Sequence, residues 1–142
     1  DRETMAEQCV EAVVLPTDKD LQEKSKLWLE SVNQFIQNPS NDNFEKSCNV
    51  WITAREPLEK IEAFLIGPVA NLGLDPNMDS WPLDQNGIVQ VLNSQNWDDL
   101  EWSGNFDEED EAIGAAQSVR GYHTLEYLLF KDGQPRTVDG AK

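Results

Sequence analysis

The chain has few basic residues. Its 142 residues include 11 lysines and arginines against 27 aspartates and glutamates, which gives a formal net charge of −16 at pH 7. A surface of this sign repels phosphate groups, and no basic patch is evident, so nucleic acids and anionic membranes are not expected partners. No run approaches the roughly 20 apolar residues of a membrane-spanning helix, so we expect no transmembrane segment. No signal peptide is recognisable, and we expect Asp1 to follow a removed leader or an artificial cut.

Histidine and cysteine are also scarce, which restricts the metal sites and catalytic sites that the chain can form. One histidine, His123, and two cysteines, Cys9 and Cys48, make a poor zinc set and leave no second histidine for a His-Glu-x-x-His site. A Ser-His-Asp triad would have to use His123, and no Gly-x-Ser-x-Gly elbow supports one. Both cysteines lie on apolar helical stripes, where a free thiol acts as a small buried hydrophobe. A Cys9–Cys48 disulfide stays open, since their helices could be neighbours.

Apolar residues recur at helical spacing along most of the chain, and five tryptophans supply apolar surface for a core. We predict a first helix over residues 2–15 that ends at Pro16, followed by a capping box from Thr17 to Asp20. The second helix then runs to Asn38, because Pro39 disfavours the α conformation before it. Such short connections predict an all-α fold, an antiparallel helical bundle.

The second half of the chain has a less regular pattern. A third helix is predicted over residues 43–66, capped by a residue of the segment 40–42 and kinked at Pro57. Turn formers fill residues 74–84, and residues 87–92 are predicted to be a short helix. The last helix is predicted from about 108 to 130, with acidic residues 107–111 at its start, and residues 131–142 are interpreted as a linker. Three tryptophans of the irregular region are expected to pack on the bundle: Trp81, Trp97 and Trp102.

Charged residues lie on helix faces that are predicted to be buried. They are Arg55 and Glu62 on the third helix, and His123 and Glu126 on the last. His123 and Glu126 are three residues apart, so an imidazole nitrogen and a carboxylate oxygen can converge as half of a metal site. Glu62 and Asp84 could add further oxygen ligands. The alternative is structural: Arg55 pairs with Glu62 or Glu126, and His123 bonds to a neighbouring carboxylate.

Several motifs resemble those of one family. The segment Gly121-Tyr-His123-Thr-Leu-Glu126 resembles the Gly-x-His-x-x-Glu signature of the imelysin family. Residues 51–68 are similar to its Trp…Arg…Glu-x-Phe…Gly-Pro segment, and residues 81–84 to its Trp-Pro-x-Asp element. Residues 35–39 resemble the end of its second helix. The matches occur in order across most of the chain, which makes them far more specific than His-x-x-Glu alone.

The resemblance implies an all-helical protein of two bundle-like domains, of which residues 1–142 would be the N-terminal one. It implies a bacterial cell-envelope protein, periplasmic or anchored in the outer membrane as a lipoprotein, with a role in iron or haem uptake. Its partners would be the C-terminal domain and components of iron or haem uptake. A metal ion would be surrounded by four residues: His123, Glu126, Glu62 and Asp84. Three further positions that match the family's motifs would support them: Gly121, Arg55 and Trp81.

Three functions follow from these observations. The first is binding of a divalent ion such as iron, zinc or manganese, or of another ligand, between two helical domains, with Arg55 orienting a carboxylate. The second is a metallopeptidase, which is the family's classification although the motif alone does not show peptidase activity. The third is a structural or adaptor domain in which the charged residues form a buried ion-pair cluster. The sequence favours the first and leaves enzymatic activity open.

Overall fold

The computed structural model describes residues 1–65, 67–101 and 111–138. Within these ranges the chain is all-α apart from one two-stranded hairpin, as predicted. It divides into two compact units, which are described separately. The first unit contains the residues up to Phe64 and the segment that begins at Phe130, and the second runs from Leu65 to Leu129. Every helix in the described ranges falls short of the length and apolar character that a bilayer crossing demands.

The N-terminal helix continues through Pro16, so the predicted break there is wrong. Helix α1 (Arg2–Cys9) leads into a π-helical turn (Val10–Val14), and helix α2 (Leu15–Gln37) follows without interruption. A proline lacks an amide donor, and the wider π turn before it relieves the backbone crowding that would otherwise end a regular helix. Helix α2 ends at Gln37 with Asn38 as its C-cap, which agrees with the predicted end before Pro39.

The predicted capping box is also wrong, because its residues bond within a continuous helix. The Thr17 hydroxyl donates to the carbonyl oxygen of Val13 at 2.7 Å, one turn back along the helix. The Asp20 carboxylate accepts from Lys24 Nζ at 3.0 Å, one turn forward. Both contacts are those of residues inside a helix and not of a helix start.

Helix α3 (Asn41–Ile61) packs along α2 and supplies most of the core of the first unit. The Ser40 hydroxyl caps it by accepting from the Asn43 amide at 3.2 Å, within the predicted capping segment. The helix continues through Pro57 and ends at Ile61, five residues before the predicted boundary, where a 3-10 turn (Glu62–Phe64) follows. Its buried face is apolar, as the helical spacing of apolar residues predicts, and consists of Cys48, Trp51, Ala54, Leu58 and Ile61.

Neither cysteine forms a disulfide bond. Cys48 is fully buried, as predicted, whereas the prediction of burial is wrong for Cys9, which is exposed. Burial raises the pKa of the Cys48 thiol to about 11, because the charged thiolate is poorly solvated there. The disulfide that the sequence left open is therefore not formed.

A short hairpin that begins at Phe130 belongs to the first unit. Strands β1 (Phe130–Lys131) and β2 (Gln134–Pro135) pair antiparallel, at the start of the segment interpreted as a linker. The turn between them has positive φ angles at Asp132 and Gly133, the geometry typical of an Asp-Gly hairpin turn. The Phe130 ring packs against Trp51, with ring centroids 5.5 Å apart.

The second unit consists of short helices. They are α4 (Pro68–Asn71), α5 (Leu74–Asp79), α6 (Gln85–Ser94), a 3-10 turn (Asp98–Leu100), α7 (Glu111–Gln117) and α8 (Tyr122–Leu129). Helix α6 confirms the predicted short helix, whereas α5 lies in the segment predicted to be turns. Two of the three tryptophans that were predicted to pack on the bundle are exposed: Trp81 at 71% and Trp97 at 52%. Trp102 and residues 107–110 of the acidic run lie outside the described residues.

The final helix is interrupted, where the sequence predicts a continuous one. Helices α7 and α8 are separated by residues 118–121, which end at Gly121 with φ of +94°. Only glycine adopts this conformation without strain, so the helical register of α7 does not carry over into α8.

Candidate functional site

The break before α8 brings two helices of the second unit into close contact. A Cβ atom at Gly121 would lie 2.5 Å from the Met78 carbonyl oxygen and 3.3 Å from the Asp79 amide nitrogen. Residue 121 must therefore be glycine both for its positive φ and for this approach of two backbones. The contact places the first turn of α8 against the last turn of α5.

His123 on α8 meets Asp79 at the end of α5. The distance from His123 Nδ1 to Asp79 Oδ1 is 2.6 Å, and the side chains are 21% and 4% exposed. A carboxylate buried to this extent needs a polar partner. In the tautomer that carries its proton on Nδ1, a neutral imidazole has its lone pair on Nε2.

Trp81 covers one side of this pair. Its ring centroid lies 5.1 Å from that of His123, and the two ring planes are inclined by 47°. The peptide bond between Trp81 and Pro82 is cis. His123 thus contacts Asp79 at Nδ1 and lies beside an indole that is itself mostly exposed.

Asp84 has a clear structural role. Its Oδ1 accepts from the Gly87 amide at 2.9 Å and caps helix α6. Its own amide donates to the carbonyl oxygen of Ser118 at 3.0 Å, in the break between α7 and α8. Asp84 is exposed and lies in the same unit as His123, so it stays a candidate ligand only in addition to its capping role.

Two acidic residues that the sequence placed on buried faces are exposed: Glu62 and Glu126. The prediction of burial is wrong for Glu62 because α3 gives way there to a 3-10 turn, so the angular spacing of the α-helix no longer applies. Glu126 is about 60° around α8 from His123, on the open side of the helix. Neither residue needs a buried partner, which removes one argument for their being ligands but leaves them accessible to an ion.

Arg55 is half-buried in the first unit, where its Nε lies 2.5 Å from Glu59 Oε1 one turn along α3. Glu62 belongs to the same unit, whereas the other predicted site residues belong to the second: Trp81, Asp84, Gly121, His123 and Glu126. In the described part of the chain, no three side chains of His, Cys, Asp and Glu lie together so as to hold a metal ion. The predicted ligand set thus remains a hypothesis.

Asp79 is the residue that sequence reasoning missed. It lies in a run of turn formers with no periodic apolar pattern, and the helix that carries it has only six residues. The one sequence feature near it is the Trp-Pro-x-Asp element of residues 81–84, which begins two residues after Asp79 and does not include it.

Arg120 was also missed. Its Nη1 donates to the carbonyl oxygens of Leu100 and Glu101, each at 3.2 Å, and its Nη2 donates to the side-chain oxygen of Asn77. Burial lowers the pKa of this guanidinium, because the charged form loses hydration. It remains protonated at any physiological pH.

Known proteins resemble this chain. An iron-regulated protein A from Synechococcus elongatus is 27% identical over 130 residues, which are 92% of this chain and 32% of that protein. The crystal structure of an imelysin peptidase from Bacteroides ovatus is 61% identical with a TM-score of 0.85, covering 92% of this chain and 37% of that one. A structure described as an iron-regulated protein A precursor from Parabacteroides distasonis is 41% identical with a TM-score of 0.79, covering 90% and 34%.

The chain spans about a third of the length of each of these relatives. The sequence pattern of the imelysin family, peptidase family M75, matches residues 14–141. This match covers most of the chain and includes every motif on which the resemblance was based. The chain belongs to the imelysin family.

Proposed function

We propose that this chain carries part of a divalent-metal site, with His123 as a ligand, in a bacterial cell-envelope protein that takes part in iron or haem uptake. The observation that carries the proposal is the 2.6 Å contact between His123 Nδ1 and the buried Asp79 carboxylate. A metal-ligating histidine usually donates its other ring N–H to a carboxylate or carbonyl, which fixes the tautomer and raises the basicity of the ligating nitrogen. The short distance supports the same role for Asp79, with Nε2 as the ligating nitrogen.

Exposed carboxylates supply oxygen donors of the kind that iron, zinc and manganese accept beside one imidazole. Glu126 follows His123 by three residues on α8, and Asp84 lies in the same unit. We propose that Trp81 and Gly121, in the same unit, support His123. The described residues do not form a complete ligand set by themselves. The remaining ligands are proposed to come from the rest of a protein about three times as long.

The uptake role and the location rest on the relatives. Two of them are described as iron-regulated protein A, and the Parabacteroides distasonis protein is described as a precursor, a word used for proteins that are processed after synthesis. These descriptions support a secreted or envelope protein whose amount responds to iron. We propose a periplasmic protein or an outer-membrane lipoprotein, with iron or haem uptake components as partners.

Metal content and affinity of the full-length protein test this proposal. The wild type is expected to bind a divalent ion stoichiometrically, and His123→Ala is expected to lose it while keeping its helix content. Glu126→Gln is expected to weaken binding with no change in stability, because Glu126 is exposed. Glu23→Gln on the exposed face of α2 is the matched control. Stoichiometric binding retained in His123→Ala would rule out this site.

Asp79→Asn separates the role of the buried carboxylate from that of the ligand itself. The amide keeps the size of the side chain but cannot hold a proton on Nδ1 as a carboxylate does. We expect affinity to fall by roughly 10- to 100-fold, the usual effect of removing a group that orients a ligating histidine. If the variants only unfold at lower temperature and the wild type binds no ion, the structural or adaptor function is the correct one.

A metallopeptidase is the second candidate, and the Bacteroides ovatus relative supports it. That protein is described as an imelysin peptidase and is 61% identical to this chain. A metal ion would supply activation of water at such a site, and Glu126 is exposed and close enough in sequence to His123 to act as a general base. Cleavage of unstructured peptides by the full-length protein, abolished by a chelator and by Glu126→Gln, would establish this activity. Absence of cleavage with metal bound would leave the binding function.

A further inference from the structure

Arg120 connects three separate parts of the second unit. Its guanidinium reaches the carbonyl oxygens of Leu100 and Glu101 at the end of a 3-10 turn, and the side chain of Asn77 on α5. Carbonyl groups at the end of a helical turn lack helical donors, so a cation there satisfies them. The acceptors lie 20, 19 and 43 residues away in sequence, so one side chain fixes distant segments to the break before α8.

The Arg120 contact lies beside the contact that places His123. Asn77 is two residues before Asp79 on α5, and Arg120 is three residues before His123. The intervening Gly121 touches the backbone of Met78 and Asp79. The Arg120–Asn77 bond and the Gly121 approach therefore connect the same two helices at adjacent positions. The bond restricts how α8 can slide or rotate along α5.

A guanidinium is suited to this role and an ammonium is not. Arg120 directs two nitrogens to acceptors on different sides, and the planar fork fixes the angle between them. A lysine would retain the charge and most of the apolar stem, but its compact ammonium cannot reproduce that fork. Arg120→Lys therefore changes the geometry of the contact with little change in charge.

We propose that Arg120 is a positioning residue for His123, because its bonds to Asn77, Leu100 and Glu101 hold α8 in the register that sets His123 Nδ1 against Asp79. The metal-affinity part of this inference rests on the proposed function. The part that concerns the imidazole tautomer does not, since the tautomer is a property of the metal-free protein.

The test uses the full-length, metal-free protein with ¹⁵N-labelled histidine. The His123 signals are assigned by their loss in His123→Gln, and their ¹⁵N chemical shifts report which ring nitrogen carries the proton. We expect the wild type to hold the proton on Nδ1 and Arg120→Lys to shift the signals toward a mixture of tautomers. Metal affinity should fall by roughly 10-fold, the lower end of the effect of groups that orient a ligating histidine. Arg2→Lys, at an exposed arginine, is the control and should change neither quantity.

A merely structural Arg120 gives a different result. Arg120→Lys would then unfold at lower temperature but keep the wild-type tautomer and affinity, and that outcome overturns the proposal. If Arg120→Lys does not fold, Asn77→Ala removes one acceptor of the same contact and must show the tautomer shift in the folded protein. An unchanged tautomer in Asn77→Ala also overturns the proposal. If the wild type binds no metal, the proposed function fails while the tautomer still decides the role of Arg120.

Discussion

Replacement of Gly121 by alanine tests the contact on which the candidate site depends. Alanine adds a Cβ atom that would lie 2.5 Å from the Met78 carbonyl oxygen and 2.8 Å from its carbon. Both neighbours are backbone atoms, so neither can move without displacing α5. The residue also has φ of +94°, which an alanine rarely adopts.

Two costs follow from this geometry. An L-residue in the left-handed region costs about 1–2 kcal/mol. Overlap in a packed region costs about 1–3 kcal/mol more, since helices α5 and α8 must separate. Gly133→Ala is the matched control, because it has φ of +73° with nothing within 4 Å of its Cβ position and should show the first cost alone. The difference between the two variants is therefore expected to be about 1–3 kcal/mol in the free energy of unfolding.

Amide hydrogen exchange in the full-length protein measures the loss of stability at the first turn of α8. The Leu125 amide donates to the Gly121 carbonyl oxygen at 3.0 Å, so its protection reports the first turn of α8. We expect Gly121→Ala to lose protection there, by roughly a factor of 10 for each 1.4 kcal/mol of lost local stability. We also expect His123 in this variant to move away from Asp79, and we expect its metal affinity to fall. Equal losses of stability in Gly121→Ala and Gly133→Ala would refute the claim that a backbone approach requires glycine at residue 121.

Further predictions concern stability and reactivity. Gly87→Ala should destabilise the protein despite the better helix propensity of alanine, because its Cβ would lie 2.7 Å from the capping Asp84 Oδ2, and thermal melting measures this. Ser40→Ala should cost about 1 kcal/mol in the free energy of unfolding, because the first turn of α3 loses its cap, and urea denaturation checks it. Cys48, with its raised pKa of about 11, should resist alkylation at pH 8 in the native protein while exposed Cys9 reacts, as peptide mass spectrometry would show. Because the folded pKa of Cys48 is raised above that of the unfolded chain, its contribution to stability is complete below pH 9 and is lost as pH rises through about 11.

The long helices could be predicted from the sequence, and their interruptions could not. The apolar stripe of α3 and the Asn38-Pro39 boundary depend on local spacing and on one proline, and both are confirmed. Pro16 was misinterpreted because a π turn lets the chain remain helical around a proline, and no residue pattern announces such a turn. The helix break at Gly121 could not be predicted either. An isolated glycine inside a helical pattern is usually tolerated, and only the nearby backbone of Met78 shows why this one changes the chain direction.

The candidate site was predicted in part. His123 could be identified because a lone imidazole on an otherwise apolar face is conspicuous, and its contact with a neighbouring carboxylate was one of the alternatives considered. Asp79 could not be identified, since the pairing joins residues 44 positions apart through a close approach of two short helices. The burial of Glu62 and Glu126 was predicted from uniform helical rotation, which fails where α3 tightens and where α8 has an open side.

The three residues of the Gly-x-His-x-x-Glu segment therefore have different physical reasons to be what they are. Gly121 is required by the backbone approach of α5, and His123 contacts the buried carboxylate of Asp79. Glu126 is exposed, and among the described residues it forms no hydrogen bond or ion pair that would explain it. Folding of this unit alone gives no reason for a carboxylate at that position. A loss of binding in Glu126→Gln without a loss of stability would thus identify a direct contact with a ligand, whereas the same loss in Gly121→Ala would be an effect of structure.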